Sequence, residues 1–454
     1  MTEKMSKAAI KKKPKIVLTR EQLSELDKNE LIDKILALDA QNTQLKNIIN
    51  RTSDTTSVVP TNVKKKQFDF SKCYYRKIFL QIAYFGWDYQ GFVVQDDTIN
   101  TVEHHLFQAF TKACLIESRE KSNYNRCGRT DKGVSAYGQV ISITVRSRHP
   151  PSDQNHPSAL SIELPYCKML NRLLPKYIRA ITWYPLPDDK LELSARFDCK
   201  RRQYKYYFPK SSLDMRAMGE ACGHLLGLHD FRNFCKMDVG NGVTVHMREI
   251  YSACIVPFDD KDTDEPTSMY VCIIEGNAFL WHQIRCIMGV LLLVGQGLES
   301  PDVIQYLLDV EGNPRKPQYN IALDIPLNLN KCTYDLEDLW VYDEQEIKNI
   351  IINAQTLWTE HNAKTTIIRD FIRNLEAMYA NFVEGPTDDS IYVKVDKVVT
   401  AYTDGLLQGV KSKVYKPLMK RQLCSSVENR IDHFTKKQKL THTTVEDGDV
   451  EMKT

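Results

Sequence analysis

The order of strand and helix patterns most constrains the fold, because a similar order occurs twice along the chain. The first strand pattern, "RKIFLQIAYFGW", places its alternate apolar residues on one face: Ile78, Leu80, Ile82 and Tyr84. A helix pattern, a strand, a helix and a strand follow. Residues 196–297 then give strand, helix, two strands and helix. The two similar halves predict an α+β fold of antiparallel sheets with helices on one face.

The overall composition suits a soluble globular protein. The patterns along the chain of 454 residues predict five segments. The segments are a basic tail, coiled-coil-like helix and linker (1–70), two core halves (71–195 and 196–336), a helical and basic extension (337–431) and an acidic, disordered tail (432–454). The net charge is only +3, so an argument for nucleic acid depends on local basic clusters.

The N-terminal segment carries two features with alternative interpretations. Six residues alternate three and four apart, as in a short coiled coil: Leu31, Ile35, Leu38, Asn42, Leu45 and Ile49. A helix that packs on its own core is an equal alternative. The run "KKKPK" (11–15) resembles a nuclear address, although a solvated tail is the more common meaning of such runs.

Several function classes are not indicated by any motif. The longest apolar run, "CIMGVLLLVG" (286–295), is too short for a membrane span, and no secretory h-region opens the chain. The twelve cysteines show no metal-ligand spacing and indicate reduced thiols. P-loop, dinucleotide-binding and zinc-hydrolase motifs are missing from the sequence, so we expect no cofactor and no metal. These features predict a cytoplasmic and nuclear protein, with a mitochondrial pool left open.

The extension beyond the two halves is predicted to be helical. "EQEIKNIIINAQTLWTEH" and "TTIIRDFIRNLEAMYANF" indicate two separate helices. "YKPLMKRQLCSSVENRI" is basic, and its Ser-Ser pair is a cap site before a short helix.

The stretch "NRCGRTDKGVSA" places one carboxylate, Asp131, between Arg129 and Lys132 in a glycine-containing turn. Taken alone, "TDKG" is typical of a structural β-turn. The flanking cations would also keep Asp131 ionised, as a nucleophile requires. Both interpretations remain open at this point.

Two further stretches carry candidate functional residues. "RFDCKRRQYKY" mixes five cations with tyrosines, which suits phosphates and stacked bases but also suits a charged edge strand. If it is a strand, Tyr204 and Tyr206 share one face. In "NAFLWHQIR", His282 and Arg285 lie three residues apart near a helix start. Arg285 is suited to binding a carboxylate or phosphate. A His-Arg pair at this spacing is, however, more commonly a surface pair without such a role.

The three stretches together resemble the motifs of the TruA-type tRNA pseudouridine synthases, in the same order. "YFGWDYQGFVVQ" (84–95) and "GLHDFRNFC" (227–235) resemble further segments of that family. The resemblance covers about residues 75–334. "SNYNRCGRTDKGVSAYGQVIS" and "PRKPQYNIALDIPLNLNKC" resemble the eukaryotic branch, which acts at positions 38 and 39 of the tRNA anticodon stem.

The resemblance implies two pseudo-symmetric ferredoxin-like halves around a central RNA-binding cleft, and a homodimer. It implies that Asp131 is the nucleophile, that Tyr204 stacks on the target base and that Arg285 pairs with Asp131. Arg129 would help to flip or hold the nucleotide. Other basic residues are expected to bind substrate: Arg126, Lys132, Arg196, Arg201, Arg202, Lys205 and His282.

The activity implied is isomerisation of uridine to pseudouridine in tRNA, which requires no redox cofactor, ATP or membrane. Three alternatives remain: a tRNA-binding chaperone that has lost catalysis, a synthase for other tRNA or messenger RNA uridines, and an assembly protein built on the N-terminal helix.

Overall fold

The structure is a computed structural model that describes residues 27, 68–154, 156–239, 242–259, 265–337, 339–384, 401–409, 414–433 and 435. The chain divides into two units, residues 1–68 and 69–454. Of the first unit only residues 27 and 68 are described, so the "KKKPK" run and the Leu31–Ile49 repeat lie outside the described residues, as does most of the 432–454 tail.

The first half forms a four-stranded sheet with the strand order β4-β1-β3-β2. Its elements are β1 (Tyr74–Tyr84), α1 (Val102–Lys112), β2 (Asn125–Arg126), β3 (Ser135–Ser147), α2 (Pro157–Ile162), α3 (Tyr166–Asn171) and β4 (Ile178–Pro185). All pairings within this half are antiparallel. The connectivity and order are those of a ferredoxin-like module, as predicted.

The second half repeats this arrangement with the order β9-β5-β8-β7-β6. Its elements are β5 (Cys199–Pro209), α4 (Met215–Gly223), β6 (Gly227–Asp230), β7 (Met247–Pro257), β8 (Met269–Gly276), α5 (Gln283–Gly295), α6 (Val303–Leu308) and β9 (Leu327–Tyr334). The predicted strands and helices of this half are confirmed. β9 was not among them, although it occupies the position equivalent to β4 of the first half.

β9 joins the two halves into one continuous sheet. Ser135 and Ala136 at the start of β3 pair in parallel with Asn328 and Leu329 of β9. The strands approach closely beside this pairing, because a Cβ atom on Gly138 would lie 2.5 Å from the Asn330 carbonyl oxygen. The expected antiparallel sheets are therefore linked by one short parallel ladder.

Each half has its own core between the sheet and its helices. Ile78, Leu80 and Ile82 are fully buried and pack with residues of α1 such as Leu106. Each such side chain contributes about 1.5–3 kcal/mol relative to an exposed position. In the second half, α5 is buried along its whole length, which explains its nearly uninterrupted apolar sequence. Tyr204 packs against both cores from β5.

The extension forms one helix, α7 (Glu344–Glu384), instead of the two that were predicted. The segment between the two patterns contains neither glycine nor proline, and Lys364 bonds Glu360 across it at 2.8 Å. Thr366 donates its hydroxyl to the Asn362 carbonyl at 2.8 Å, so this threonine does not break the helix. Among the described helices, none is long and apolar enough to cross a membrane.

The basic C-terminal segment packs on the second half. Leu418 is fully buried in the core of that half, and its backbone N–H donates to Glu299 Oε1 at 2.6 Å. The predicted cap is present, because Ser426 Oγ accepts from Asn429 N at 3.1 Å where a helical turn begins.

Candidate active site

Asp131 lies in the loop between β2 and β3 and is the first residue of a tight turn. Val134 N donates to the Asp131 carbonyl at 3.2 Å. Gly133, the third residue of the turn, has φ +79°, and a Cβ there would lie 3.0 Å from Asp324 Cγ. The turn interpretation is therefore correct, and it is compatible with a functional role for the carboxylate.

The segment from Tyr84 to Phe92 fixes the backbone of this loop. The Tyr84 hydroxyl lies 2.7 Å from Thr130 Oγ1, and Phe92 N donates to the Thr130 carbonyl at 3.1 Å. Gly133 N donates to the Tyr89 carbonyl at 3.3 Å. The "YFGWDYQGF" segment thus holds the loop on both sides of Asp131. This reduces the conformational entropy that the loop loses when a substrate binds.

The second half supplies the side chains that contact the carboxylate. Trp281 Nε1 donates to Asp131 Oδ1 at 3.1 Å, and His282 Nε2 lies 3.4 Å from Asp131 Oδ2. His282 has φ 61° and precedes α5 instead of belonging to it. Left-handed backbone at a non-glycine residue is uncommon and recurs at functional sites. Trp281 was not predicted, although its indole N–H, adjacent to His282, was a visible donor.

Arg285 lies in the first turn of α5 and is 4 % exposed. Its Nε donates to the Ala322 carbonyl at 2.8 Å, and one terminal nitrogen lies 3.7 Å from Asp324 Oδ2. Within the described residues this is the ion pair that Arg285 makes, so the pair expected with Asp131 is not formed. The bond to Ala322 directs the guanidinium toward Asp324, a residue that the sequence did not single out.

Burial has the largest effect on the pKa of Asp131. Desolvation raises the pKa of Asp131 above its usual value, and the Asp324 carboxylate adds to this rise. The Arg285 charge, the Trp281 hydrogen bond and Lys236 act in the opposite direction. The prediction that Arg129 and Lys132 hold Asp131 ionised is not supported, because both side chains are exposed and the opposing charges come from other residues.

The imidazole of His282 is a weaker base than an exposed histidine. Burial, together with the charges of Arg285, Lys236 and Lys316, lowers the pKa of His282 to about 4. The ring is therefore neutral near pH 7 and contacts Asp131 as a neutral group.

Three predicted substrate-binding residues make close contacts with other protein groups. Arg126 pairs with buried Glu103 at 2.9 Å, and Arg201 pairs with Glu275 at 3.1 Å. Arg202 donates to four backbone carbonyls, of which Asn277 is nearest at 2.6 Å. A guanidinium bonded in this way has few donors left for phosphate. These three residues have structural contacts that a local sequence pattern does not reveal.

The other predicted residues remain accessible near the site or on β5. Arg129, Lys132 and Arg196 are exposed, and Lys205 is half-buried. Tyr204 is half-buried.

β5 itself lies between β9 and β8, so the alternative that it is a charged edge strand is wrong.

Comparison with known sequences agrees with this geometry. A sequence profile of tRNA pseudouridine synthases matches residues 221–335. The tRNA pseudouridine(38/39) synthase of Bos taurus is 42% identical over 391 residues, which is 83% of this chain and 80% of that protein. The chain belongs to the tRNA pseudouridine synthase family. It is also 42% identical to the Saccharomyces cerevisiae tRNA pseudouridine(38/39) synthase over 62% of this chain and 64% of that protein.

Family membership gives the class of activity: the protein is an isomerase that converts uridine to pseudouridine. An archaeal relative, tRNA pseudouridine synthase A of Methanothermobacter thermautotrophicus, is 30% identical over 55% of this chain and 81% of its own length. The predicted family resemblance and the predicted α+β fold are both confirmed.

Proposed function

We propose that this synthase acts on uridines 38 and 39 in the anticodon stem-loop of tRNA, with Asp131 as the nucleophile. The observation that carries the proposal is the position of Asp131, whose two carboxylate oxygens face Trp281 Nε1 at 3.1 Å and His282 Nε2 at 3.4 Å. The relatives named for positions 38 and 39 align with most of the chain, which supports the choice of substrate.

In the proposed reaction the target base first leaves its stack, at a cost of about a few kcal/mol. Stacking on Tyr204 offsets this cost by about 1–3 kcal/mol. The N1–C1′ bond then breaks while the Asp131 carboxylate supports C1′. The base turns, C5 bonds to C1′, and the proton on C5 moves to N1 through a base. Atoms are conserved, so the isomerisation requires no co-substrate.

Arg285 has donor capacity that its protein contacts do not use. The terminal nitrogen Nη2, which lies 3.7 Å from Asp324 Oδ2, is buried and makes no hydrogen bond within the described residues. Hydrogen bonds at catalytic sites are often long before substrate binds and shorten in the complex. We assign this nitrogen to the Asp131 carboxylate or the ribose once RNA occupies the site.

We also propose that the synthase is a homodimer. Support comes from α7, where five exposed apolar residues are spaced alternately three and four apart: Ile368, Phe371, Leu375, Met378 and Phe382. This spacing is typical of a helix that packs against a second helix. The sequence features noted above support residence in the cytoplasm and nucleus, which cell fractionation would test.

The test of the proposed activity compares Asp131→Asn with Asp96→Asn, a matched change at an exposed acid outside the site. Each variant receives a tRNA with uridine at positions 38 and 39, and pseudouridine is mapped by chemical labelling and primer extension. We expect Asp131→Asn to lose at least about 1,000-fold in rate while tRNA binding is retained, and Asp96→Asn to match the wild type. Modification that persists in Asp131→Asn would refute the assignment of the nucleophile.

A further inference from the structure

Three cysteines from distant parts of the chain meet beside the active-site loop. Cys127 lies four residues before Asp131, Cys199 begins β5 and Cys332 lies in β9. Their sulfur atoms all lie within 4.8 Å of one another, and those of Cys127 and Cys332 are 3.3 Å apart. Cys127 and Cys199 are buried and Cys332 is half-buried. The reaction mechanism uses none of them.

A positive charge accompanies the three sulfurs. The Arg202 guanidinium donates to the carbonyls of Cys127 and Cys199, both at 3.4 Å. Within the described ranges, Arg202 forms no ion pair with a carboxylate. A half-buried cation without a carboxylate favours negative charge on its neighbours.

We propose that Cys127, Cys199 and Cys332 bind one zinc ion. Zinc prefers thiolate ligands at about 2.3 Å, which places tetrahedral ligand sulfurs about 3.8 Å apart. The Cys127–Cys332 separation of 3.3 Å lies somewhat below that value, and all three separations lie within 4.8 Å. A water molecule would complete the four ligands.

Charge balance favours a divalent ion over a monovalent one. Three thiolates and Zn²⁺ carry a net charge of −1, which the Arg202 guanidinium neutralises. Copper(I), the other common thiophilic ion, would leave one uncompensated negative charge in the same site. The ion would connect the start of the Asp131 loop to β5 and β9, and so fix the first half of the fold on the second.

The test uses the full-length protein, first stripped of metal with a chelator under reducing conditions. Cobalt(II) is then added, because it occupies zinc sites and gives a thiolate-to-cobalt charge-transfer absorption. We expect one cobalt ion per chain, with the absorption lost when zinc is added. Elemental analysis of the untreated protein is expected to give about one zinc ion per chain.

Three variants locate the site: Cys127→Ser, Cys199→Ser and Cys332→Ser. Each is expected to lose the absorption, whereas Cys254→Ser, at an exposed cysteine outside the cluster, is expected to retain it. The wild-type titration does not depend on whether a variant folds. The proposal is overturned if the reduced wild type binds no cobalt, if the cluster variants bind as the wild type does, or if mass analysis finds a cluster disulfide and reduction restores no metal uptake.

Discussion

At the scale of single residues, Asp131 is a carboxyl group whose charge the protein stabilises less well than water does. Burial and the Asp324 carboxylate raise its pKa, and the site stabilises the charge only partly through Arg285 and Trp281. A desolvated carboxylate is a stronger base and nucleophile than a solvated one. The same desolvation lowers the stability of the folded protein whenever Asp131 is ionised.

This cost predicts that Asp131→Asn raises the melting temperature at pH 7. The folded pKa of Asp131 is raised, so the stability contributed by its neutral form is present below the unfolded pKa, about 3.9, and is lost as pH rises through the folded pKa. Calorimetry is expected to show the difference from wild type at pH 7 and its decrease toward pH 4. An Asp131→Asn protein that melts below the wild type at pH 7 would contradict this account.

We expect Asp324 to influence the pH dependence of activity, because its carboxylate raises the pKa of Asp131. Replacing it with Asn removes a like charge and releases Arg285 from its 3.7 Å contact, and both changes lower the pKa of Asp131. Since the active form is the carboxylate, we expect the acid limb of the pH–kcat profile to move to lower pH.

Trp281→Phe removes a hydrogen bond to Asp131 Oδ1 and is expected to move the acid limb of the same profile to higher pH. Asp335→Asn, at an exposed acid, serves as the control. Shifts of the opposite sign would show that other groups govern the limb.

At the scale of elements, the contact between β3 and β9 decides how the two halves meet. The parallel ladder spans only two residue pairs, so the close packing beside it is needed to fix the position of β3 against β9. β3 approaches β9 at Gly138, where a Cβ would lie 2.5 Å from Asn330 O and 2.9 Å from Lys331 Cα. Both are backbone atoms, which cannot move away as the end of a flexible side chain can.

We therefore expect Gly138→Ala to destabilise the protein by about 1–3 kcal/mol, as overpacking does elsewhere. Urea unfolding followed by fluorescence measures this. Gly219→Ala is the matched control, because Gly219 lies inside α4 and nothing comes within 4 Å of the added Cβ. That change is expected to stabilise the protein by about 0.5–1 kcal/mol. Equal effects of the two substitutions would show that the approach of β3 to β9 is not tight.

At the scale of the whole molecule, α7 leaves a large apolar surface exposed. Phe382 is 89% exposed and Met378 is 68% exposed, and both belong to the three-and-four spacing of the helix. Exposed apolar patches of this kind mark interaction surfaces in soluble proteins. A second copy of the chain would cover this stripe with its own.

The double variant Phe371→Glu, Met378→Glu is expected to convert the proposed dimer to a monomer in analytical ultracentrifugation, because it places charges in the centre of the stripe. Arg373→Glu is the control, since Arg373 is exposed and points away from Phe371. A wild-type protein that sediments as a monomer at micromolar concentration, or a double variant that remains dimeric, would contradict the proposal.

The sequence by itself determined most strands and helices of the two halves and the turn that holds Asp131, because hydrophobic periodicity and turn chemistry are local properties. Its two apolar patterns in α7 predict two helices, although the segment between them contains no glycine or proline that would interrupt one continuous helix. It also missed β9, whose "LNLNKCTY" alternates apolar and polar residues only over its first four positions.

Only the tertiary structure decided the environment of the site. Trp281 reaches Asp131 across 150 residues of sequence, Arg285 pairs with Asp324 instead of Asp131, and Cys127 meets Cys332 across 205 residues. The pKa of Asp131 follows from this assembly and not from its neighbours in the chain. Desolvation and charge depend on which atoms lie within a few ångströms, and here those atoms come from both halves of the fold.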